Sequence, residues 1–171
     1  MRTTLSGLAL VVVLVAGGCA GGNSGGGGGG ANPDAAAPVN TLAHDRDVFT
    51  EMLQKHEKIR REFREIDGGI ESLTESDDPR VAGLIAEHVE AMKRRVETGA
   101  RIRQWDPIYV AVFDAGTKIK LDIERTGKGV RVRETSTDPA VVKLIRQHAG
   151  VVSAFAALGT EESAKEHPVE R

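Results

Sequence analysis

The sequence has a single cysteine, no early apolar run long enough to cross a membrane, and no excess of basic charge. Cys19 alone cannot form an internal disulfide. The apolar run from Leu8 to Ala16 has nine residues, whereas a transmembrane helix needs about 20. Lys and Arg number 23 against 25 Asp and Glu, so nucleic acid is not an expected partner. Two local basic clusters alternate with acids and are interpreted as solvent-facing: Arg60, Arg61 and Arg64, and Lys93–Arg95.

The usual motifs of catalysis are also missing. The sequence contains no GxSxG, HExxH, CxxC or CxxCH. Its glycine turns at 67–69 and 127–129 lack the strand-to-helix context of a phosphate-binding loop. An enzyme would need acids such as Asp45, Glu51 or Glu87 to converge on a histidine, and no spacing requires this. We therefore expect a binding or interaction module rather than an enzyme.

The N-terminus reads as an export signal. A basic residue, Arg2, precedes the short apolar run and a group of small residues, as in secretory signals. The segment Val15-Ala16-Gly17-Gly18-Cys19 resembles the lipobox of bacterial lipoproteins. That resemblance implies a signal peptide at 1–18, a lipidated Cys19 and a protein of the bacterial envelope that faces the periplasm. In that family an aspartate after the cysteine retains the protein in the inner membrane. Ala20 stands at this position here, so the resemblance implies the outer membrane. The alternative is an ordinary secreted protein that is cleaved nearby and carries no lipid.

A glycine-rich segment follows the cysteine. Apart from Asp34, residues 20–38 are Gly, Ala, Asn, Ser and Pro, and they include six consecutive glycines. This composition is typical of a flexible linker. We expect residues 19–39 to form the lipidated cysteine and a tether of roughly 25 Å. Residues 40–160 then form one domain, since about 120 residues suffice for a core. We expect the polar tail at 161–171 to fray.

A repeat organises the domain. The run from Asp78 to His88 (DPRVAGLIAEH) recurs sixty residues later from Asp138 to His148 (DPAVVKLIRQH). The same offset pairs Lys58-Ile59 with Lys118-Ile119. A match at a fixed period is the signature of a duplicated unit. The sequence therefore predicts two repeats, at about 45–100 and 105–160.

Each repeat has the pattern α-β-β-α. Asp followed by Pro begins a helix, because the carboxylate caps it and proline suits its first position. Residues 119–123 alternate between apolar and charged side chains, which is the period of a strand. The equivalent segment, 59–66, is compatible with a helix or a strand by itself, and we assign it as a strand because it lies sixty residues before that strand. The fold class is α+β: a four-stranded antiparallel sheet covered by four helices. The predicted elements are helices at 45–57, 79–98, 107–115 and 139–158, with Asp106 capping the third, and hairpins around 67–69 and 127–129.

Two histidines are the candidate cofactor-binding residues. His88 and His148 occupy equivalent positions in the middle of the apolar helix stripes. Two histidines can ligate a haem, and a small ligand between the repeats would also reach both. The plainer interpretation makes them core residues whose nitrogens are satisfied by neighbouring groups.

Three further residues are candidate metal ligands. Met92 follows His88 by one helix turn, and Met52 precedes His56 by the same spacing. Histidine with methionine is a ligand set that suits copper, although methionine on an apolar stripe also serves as core filler. The second repeat lacks this pairing.

The body of the chain also resembles a group of small secreted bacterial proteins of unassigned function. The resemblance rests on the paired Asp-Pro-x-Val…Leu-Ile…His runs and on Trp105-Asp106-Pro107, and it covers most of 41–159. It implies no activity. The expected partners are the membrane, through the lipid anchor, and an envelope protein.

Overall fold

The structure, a computed structural model, describes residues 41–170. The predicted signal peptide, Cys19 and tether lie outside the described residues. The first half contains helix α1 (Leu42–Gln54), strands β1 (Arg60–Ile66) and β2 (Gly69–Glu75), and helix α2 (Pro79–Thr98). The second half contains helix α3 (Pro107–Asp114), strands β3 (Lys120–Thr126) and β4 (Gly129–Thr135), helix α4 (Pro139–Leu158) and the short helix α5 (Thr160–Ser163).

Local capping fixes the starts of the two long helices. The Asp78 carboxylate accepts hydrogen bonds from the amides of Arg80 and Val81, at 2.9 and 3.4 Å. Asp138 accepts one from the amide of Ala140 at 3.0 Å. Such caps satisfy donors that a helix start leaves free, at about 1 kcal/mol each. Both predicted Asp-Pro starts are confirmed.

The four strands form one antiparallel sheet in the order β1-β2-β4-β3. The two halves meet through β2 and β4, where Ser72 is the register partner of Val132. Ser72 and Val132 are sixty positions apart, which is also the offset between the two repeats, so the pair joins equivalent positions. The pairing of β2 with β4 is symmetric about this pair: Gly69 faces Thr135 and Glu75 faces Gly129. The predicted α+β class with a four-stranded antiparallel sheet is confirmed. The common origin of the halves stays a prediction.

The long helices pack on one face of this sheet, each over a strand of the other half. Val81 and Ile85 of α2 pack on Val130 of β4, and Ile145 of α4 packs on Ile70 of β2. All five side chains are almost fully buried, and each such burial contributes about 1.5–3 kcal/mol. The crossed packing binds the two hairpins into one core.

The opposite face of the sheet carries charge. Arg64 Nη2 lies 2.7 Å from Glu71 Oε1, and Arg133 Nε lies 3.3 Å from Glu71 Oε2. These residues come from three neighbouring strands, so a row of alternating charge crosses the sheet. Arg64 is exposed, as the solvent-facing interpretation of its cluster predicted.

Helix α4 is predominantly apolar in composition. Among the described residues, it is the one helix long and apolar enough to cross a membrane by length and composition. A core helix of a globular domain meets the same criterion. Val141, Ile145 and Ala149 are buried in one cluster with Ile70 of the sheet.

The prediction that the C-terminal tail frays is wrong for the residues described. Glu162 and His167 are both buried, and the carbonyl of His167 accepts a hydrogen bond from the amide of Ile108 at 3.0 Å. The tail therefore satisfies an early amide of α3. The predicted side-chain cap by Asp106 is also wrong, because its carboxylate is occupied by Arg103 and His167.

Candidate functional site

A cavity of about 530 Å³ lies between the helices and the inner face of the sheet. His88 of α2 and His148 of α4 both line it. The offset of sixty residues puts them at equivalent helix positions, and the crossed packing of α2 and α4 brings both to the same space. Small-molecule sites typically occupy about 300–1,000 Å³, so the cavity has the size of a ligand site.

The walls of the cavity are predominantly apolar. They come from α2 and from the inner faces of β3 and β4, with a smaller share from α4. The apolar side chains from these four elements are Val89, Met92, Val96, Leu121, Ile123, Val132 and Val152. Charged side chains also line the cavity, among them Arg46, Lys93, Arg101 and Glu134. A largely apolar wall with polar groups set in it is the usual character of a ligand-binding pocket.

His88 is enclosed by protein on the α2 side. Its ring stacks on that of Phe49, with centroids 5.2 Å apart and planes inclined by 19°. Burial lowers the pKa of His88 to about 4, and the Asp45 carboxylate opposes this only partly. Nδ1 has no hydrogen-bond partner within residues 41–170. The ring is therefore neutral near pH 7 and offers a free nitrogen.

His148 has a different set of neighbours. Its ring meets the edge of Tyr109, with centroids 5.5 Å apart and an interplanar angle of 87°. Nδ1 lies 3.8 Å from Glu134 Oε2, which is too far for a hydrogen bond. Burial raises the pKa of the Tyr109 phenol, so Tyr109 is a neutral donor or acceptor at this side of the cavity.

Arg61 is the site residue that sequence reasoning missed. It lies opposite Thr74 in the sheet, and its Nη1 donates a hydrogen bond to Thr74 Oγ1 at 2.9 Å. Burial lowers the pKa of Arg61, with the Glu134 carboxylate opposing. Nε has no partner among the described residues. The interpretation of Arg61 as solvent-facing is wrong, because strand alternation turns it into the cavity. The available signal was its equivalent, Leu121, an apolar strand residue.

Two other arginines at the cavity already have partners. Arg95 pairs with the buried carboxylate of Asp45. Arg103 lies 3.0 Å from Asp106, and its guanidinium stacks 4.3 Å above the centre of the Trp105 ring. Their charges are therefore compensated within the protein, which distinguishes them from Arg61.

The structure divides the predicted metal ligands. Met92 lines the cavity with His88 and His148. Met52 instead packs against the apolar cluster below α2. His56 lies beside Gly159, where an added Cβ would meet its Cδ2 at 2.3 Å. Residues 41–170 contain no group of three His, Cys, Asp or Glu side chains placed to hold a metal ion.

The acids that an enzyme would require do not converge. Of the three considered, only Asp45 lines the cavity. Glu51 accepts a hydrogen bond from Arg80 at 2.7 Å, and this contact lowers the pKa of Glu51 to about 2. Glu87 pairs with His44. Each carboxylate is engaged by a neighbouring cation or imidazole.

Comparison with known proteins adds no relative. No protein-family model, no curated protein and no solved structure matches the chain.

Proposed function

We propose that this chain is a lipid-anchored protein of the bacterial envelope whose domain binds a small, mainly apolar molecule. The observation that carries the proposal is the cavity of about 530 Å³ shared by His88 and His148. Its apolar walls provide affinity, since burial of apolar surface contributes about 25 cal/mol per Å². Its polar groups, among them Arg61 and Tyr109, provide orientation.

The polar atoms at the cavity favour a ligand over a purely structural role for the histidines. His88 Nδ1, His148 Nδ1 and Arg61 Nε are buried and have no hydrogen-bond partner within the described residues. Each such atom costs about 1–3 kcal/mol when unsatisfied. Core histidines are expected to have these nitrogens paired. His56 Nδ1, outside the cavity, is unpaired as well, and all of these atoms are closed off from solvent. A bound molecule with oxygen atoms would supply partners to the three at the cavity after a local movement of side chains.

The proposed location at the membrane suits a protein that binds an apolar molecule. Lipidation of Cys19 and a tether of roughly 25 Å would hold the domain close to the membrane surface. Apolar molecules concentrate at that surface, so a binding domain there meets its ligand. We place the protein on the periplasmic side, at the outer membrane. A role in protein docking alone would use the charged outer face of the sheet and would not require a cavity.

The test uses an uncharged apolar dye, N-phenyl-1-naphthylamine, and the chain from residue 19 onward carrying Cys19→Ser, which has neither the apolar signal segment nor a lipid and so needs no detergent. We expect saturable binding at one equivalent. In the same background, Val152→Trp fills the cavity from α4 and should weaken binding by about 10-fold or more. Ala157→Trp adds the same ring at an exposed position of the same helix and should change nothing. No saturable binding, or equal binding by both variants, would refute the proposal.

A further inference from the structure

We propose that the ligand is an amphiphile with a single carboxylate, and that Arg61 binds this head group while the apolar walls enclose the chain. This inference rests on the proposed function and names its ligand class. It starts from a guanidinium that the fold encloses without giving it an anion.

The position of Arg61 is set by strand register. Its partner Thr74 and the neighbouring Ser72 are buried on the inner face of the sheet, so the Arg61 side chain projects into the cavity. Thr74 Oγ1 takes one of its donors, at 2.9 Å. Within residues 41–170, Arg61 has no ion pair closer than 4 Å, and Nε donates to no acceptor. A buried charge without a partner is strongly unfavourable, so an anion entering the cavity would be stabilised.

The head group is a carboxylate because of what surrounds Arg61. A guanidinium presents parallel donors that match the two oxygens of a carboxylate. His88 and Tyr109, both neutral for the reasons given above, add hydrogen-bonding capacity without adding charge. Glu134 also lines the cavity and attracts Arg61 from beyond ion-pair distance. Its negative charge repels any added anion, and a dianion such as a phosphate monoester more strongly than a monoanion.

The rest of the cavity fits a hydrocarbon chain. Beyond Arg61, the inner faces of β3 and β4 contribute Leu121, Ile123 and Val132, and α2 contributes Val89 and Met92. These side chains offer no hydrogen bonds, so the ligand must be apolar over most of its length. One charged end and one apolar body define an alkyl carboxylate or a molecule of the same pattern.

The experiment compares three probes with the same chain: dodecanoate, 1-dodecanol and dodecyl phosphate. Each displaces the dye from the chain that begins at residue 19 and carries Cys19→Ser. We expect dodecanoate to bind about 10-fold or more tightly than either of the others, which is the effect of one charge-assisted contact. Equal affinity for dodecanoate and dodecanol, or tighter binding of the phosphate, would overturn the carboxylate inference.

Variants assign the preference to Arg61. Arg61→Met keeps the length of the side chain and should reduce dodecanoate binding to the level of dodecanol, while dodecanol binding is unchanged. Arg64→Met is the control, because Arg64 lies on the same strand but on the exposed outer face; it should keep the preference. Arg61→Lys keeps the positive charge but lacks the parallel donors of a guanidinium, and it replaces the Met variant if that variant does not fold. It should keep only part of the preference for dodecanoate over dodecanol. An unchanged preference without the guanidinium would overturn the role of Arg61.

The two proposals fail in different ways. Saturable binding of dye and dodecanol without any preference for dodecanoate would refute the carboxylate inference and leave the apolar binding site intact. Failure of the dye and of every alkyl probe to bind would refute the proposed function itself.

Discussion

Asp106 Oδ2 lies 2.8 Å from His167 Nδ1, although the two residues are 61 positions apart. The backbone amide of His167 also donates to Asp106 Oδ1 at 3.0 Å, and Glu162 Oε1 lies 3.1 Å from His167 Nε2. Asp106 is fully buried. The opposing effects on its pKa are burial, which raises it, and the hydrogen bonds from His167 and Arg103, which prevail and lower it. This contact attaches the C-terminal segment to the start of α3.

The first prediction concerns this attachment. His167→Ala removes the imidazole from the buried Asp106 carboxylate and should lower the free energy of unfolding by about 1–3 kcal/mol, the cost of a buried group losing its partner. Urea denaturation measures the change. Glu166→Ala, next to it and exposed, should stay within about 0.5 kcal/mol of the parent chain. Equal stability of both variants would show that the tail is not held as described.

The second prediction is a pH dependence carried by His88. Burial holds the pKa of His88 at about 4, below the ordinary 6.5. As the pH falls from about 6.5 to about 4, the unfolded chain binds a proton that the folded chain does not, so stability falls by up to about 1.4 kcal/mol per pH unit.

His88→Phe tests this dependence, because it keeps an aromatic ring against Phe49 and cannot bind a proton. Unfolding free energies of both chains are measured between about pH 7 and pH 4.5, on either side of the ordinary histidine pKa. The parent chain should lose more stability than the variant as the pH falls. Parallel curves would contradict the prediction, since carboxylates elsewhere titrate equally in both chains.

The third prediction tests the junction of the two halves at β2 and β4. An added Cβ at Gly69 would lie 1.9 Å from the carbonyl oxygen of Glu134, so Gly69→Ala should destabilise the fold by about 1–3 kcal/mol or more. Gly83→Ala is the control. It lies on α2 with nothing within 4 Å of its Cβ position, and it should gain about 0.5–1 kcal/mol. Thermal unfolding measures the stability of both variants. A Gly69→Ala variant as stable as the parent chain would exclude this strand pairing.

The fourth prediction concerns the anchor. Cys19→Ser removes the only thiol of the chain and should leave an uncleaved precursor that is no longer lipidated. Cell fractionation, together with the mass of the protein, measures this. Ser24→Ala, in the same segment, should stay lipidated and membrane-bound. A serine variant with the same mass shift and membrane distribution as the parent would exclude the lipobox.

The fifth prediction concerns haem and copper. Haem ligation by His88 and His148 requires their rings on opposite sides of one iron, and copper requires soft ligands close together. Since Met52 and His56 lie apart from the cavity residues, we expect neither haem nor Cu(I) to bind saturably at one equivalent. Optical titration of the chain carrying Cys19→Ser with haem and with Cu(I) measures this binding. Binding at one equivalent that is lost in both His88→Ala and His148→Ala would reverse this expectation.

Local signals in the sequence determined the secondary structure. The Asp-Pro starts and the apolar period predicted 79–98 and 139–158, and the structure has helices over the same residues. The ambiguous segment at 58–66 became a strand prediction only through its equivalence with 118–126, and β1 confirms it. These features were predictable because capping, helix period and strand alternation involve residues close together in the chain.

Tertiary structure alone decided the environment of the polar side chains. The sequence around Arg61 has the pattern of a charged strand, yet the pairing of β1 with β2 turns the Arg61 side chain toward the cavity. Asp106 has the local sequence of a helix cap, yet His167 and Arg103 take its carboxylate. Met92 and Met52 share the same spacing to a histidine, yet only Met92 reaches the cavity. The free energy of a buried charge or imidazole depends on its neighbours in space, and some of those neighbours are more than sixty residues away in the chain.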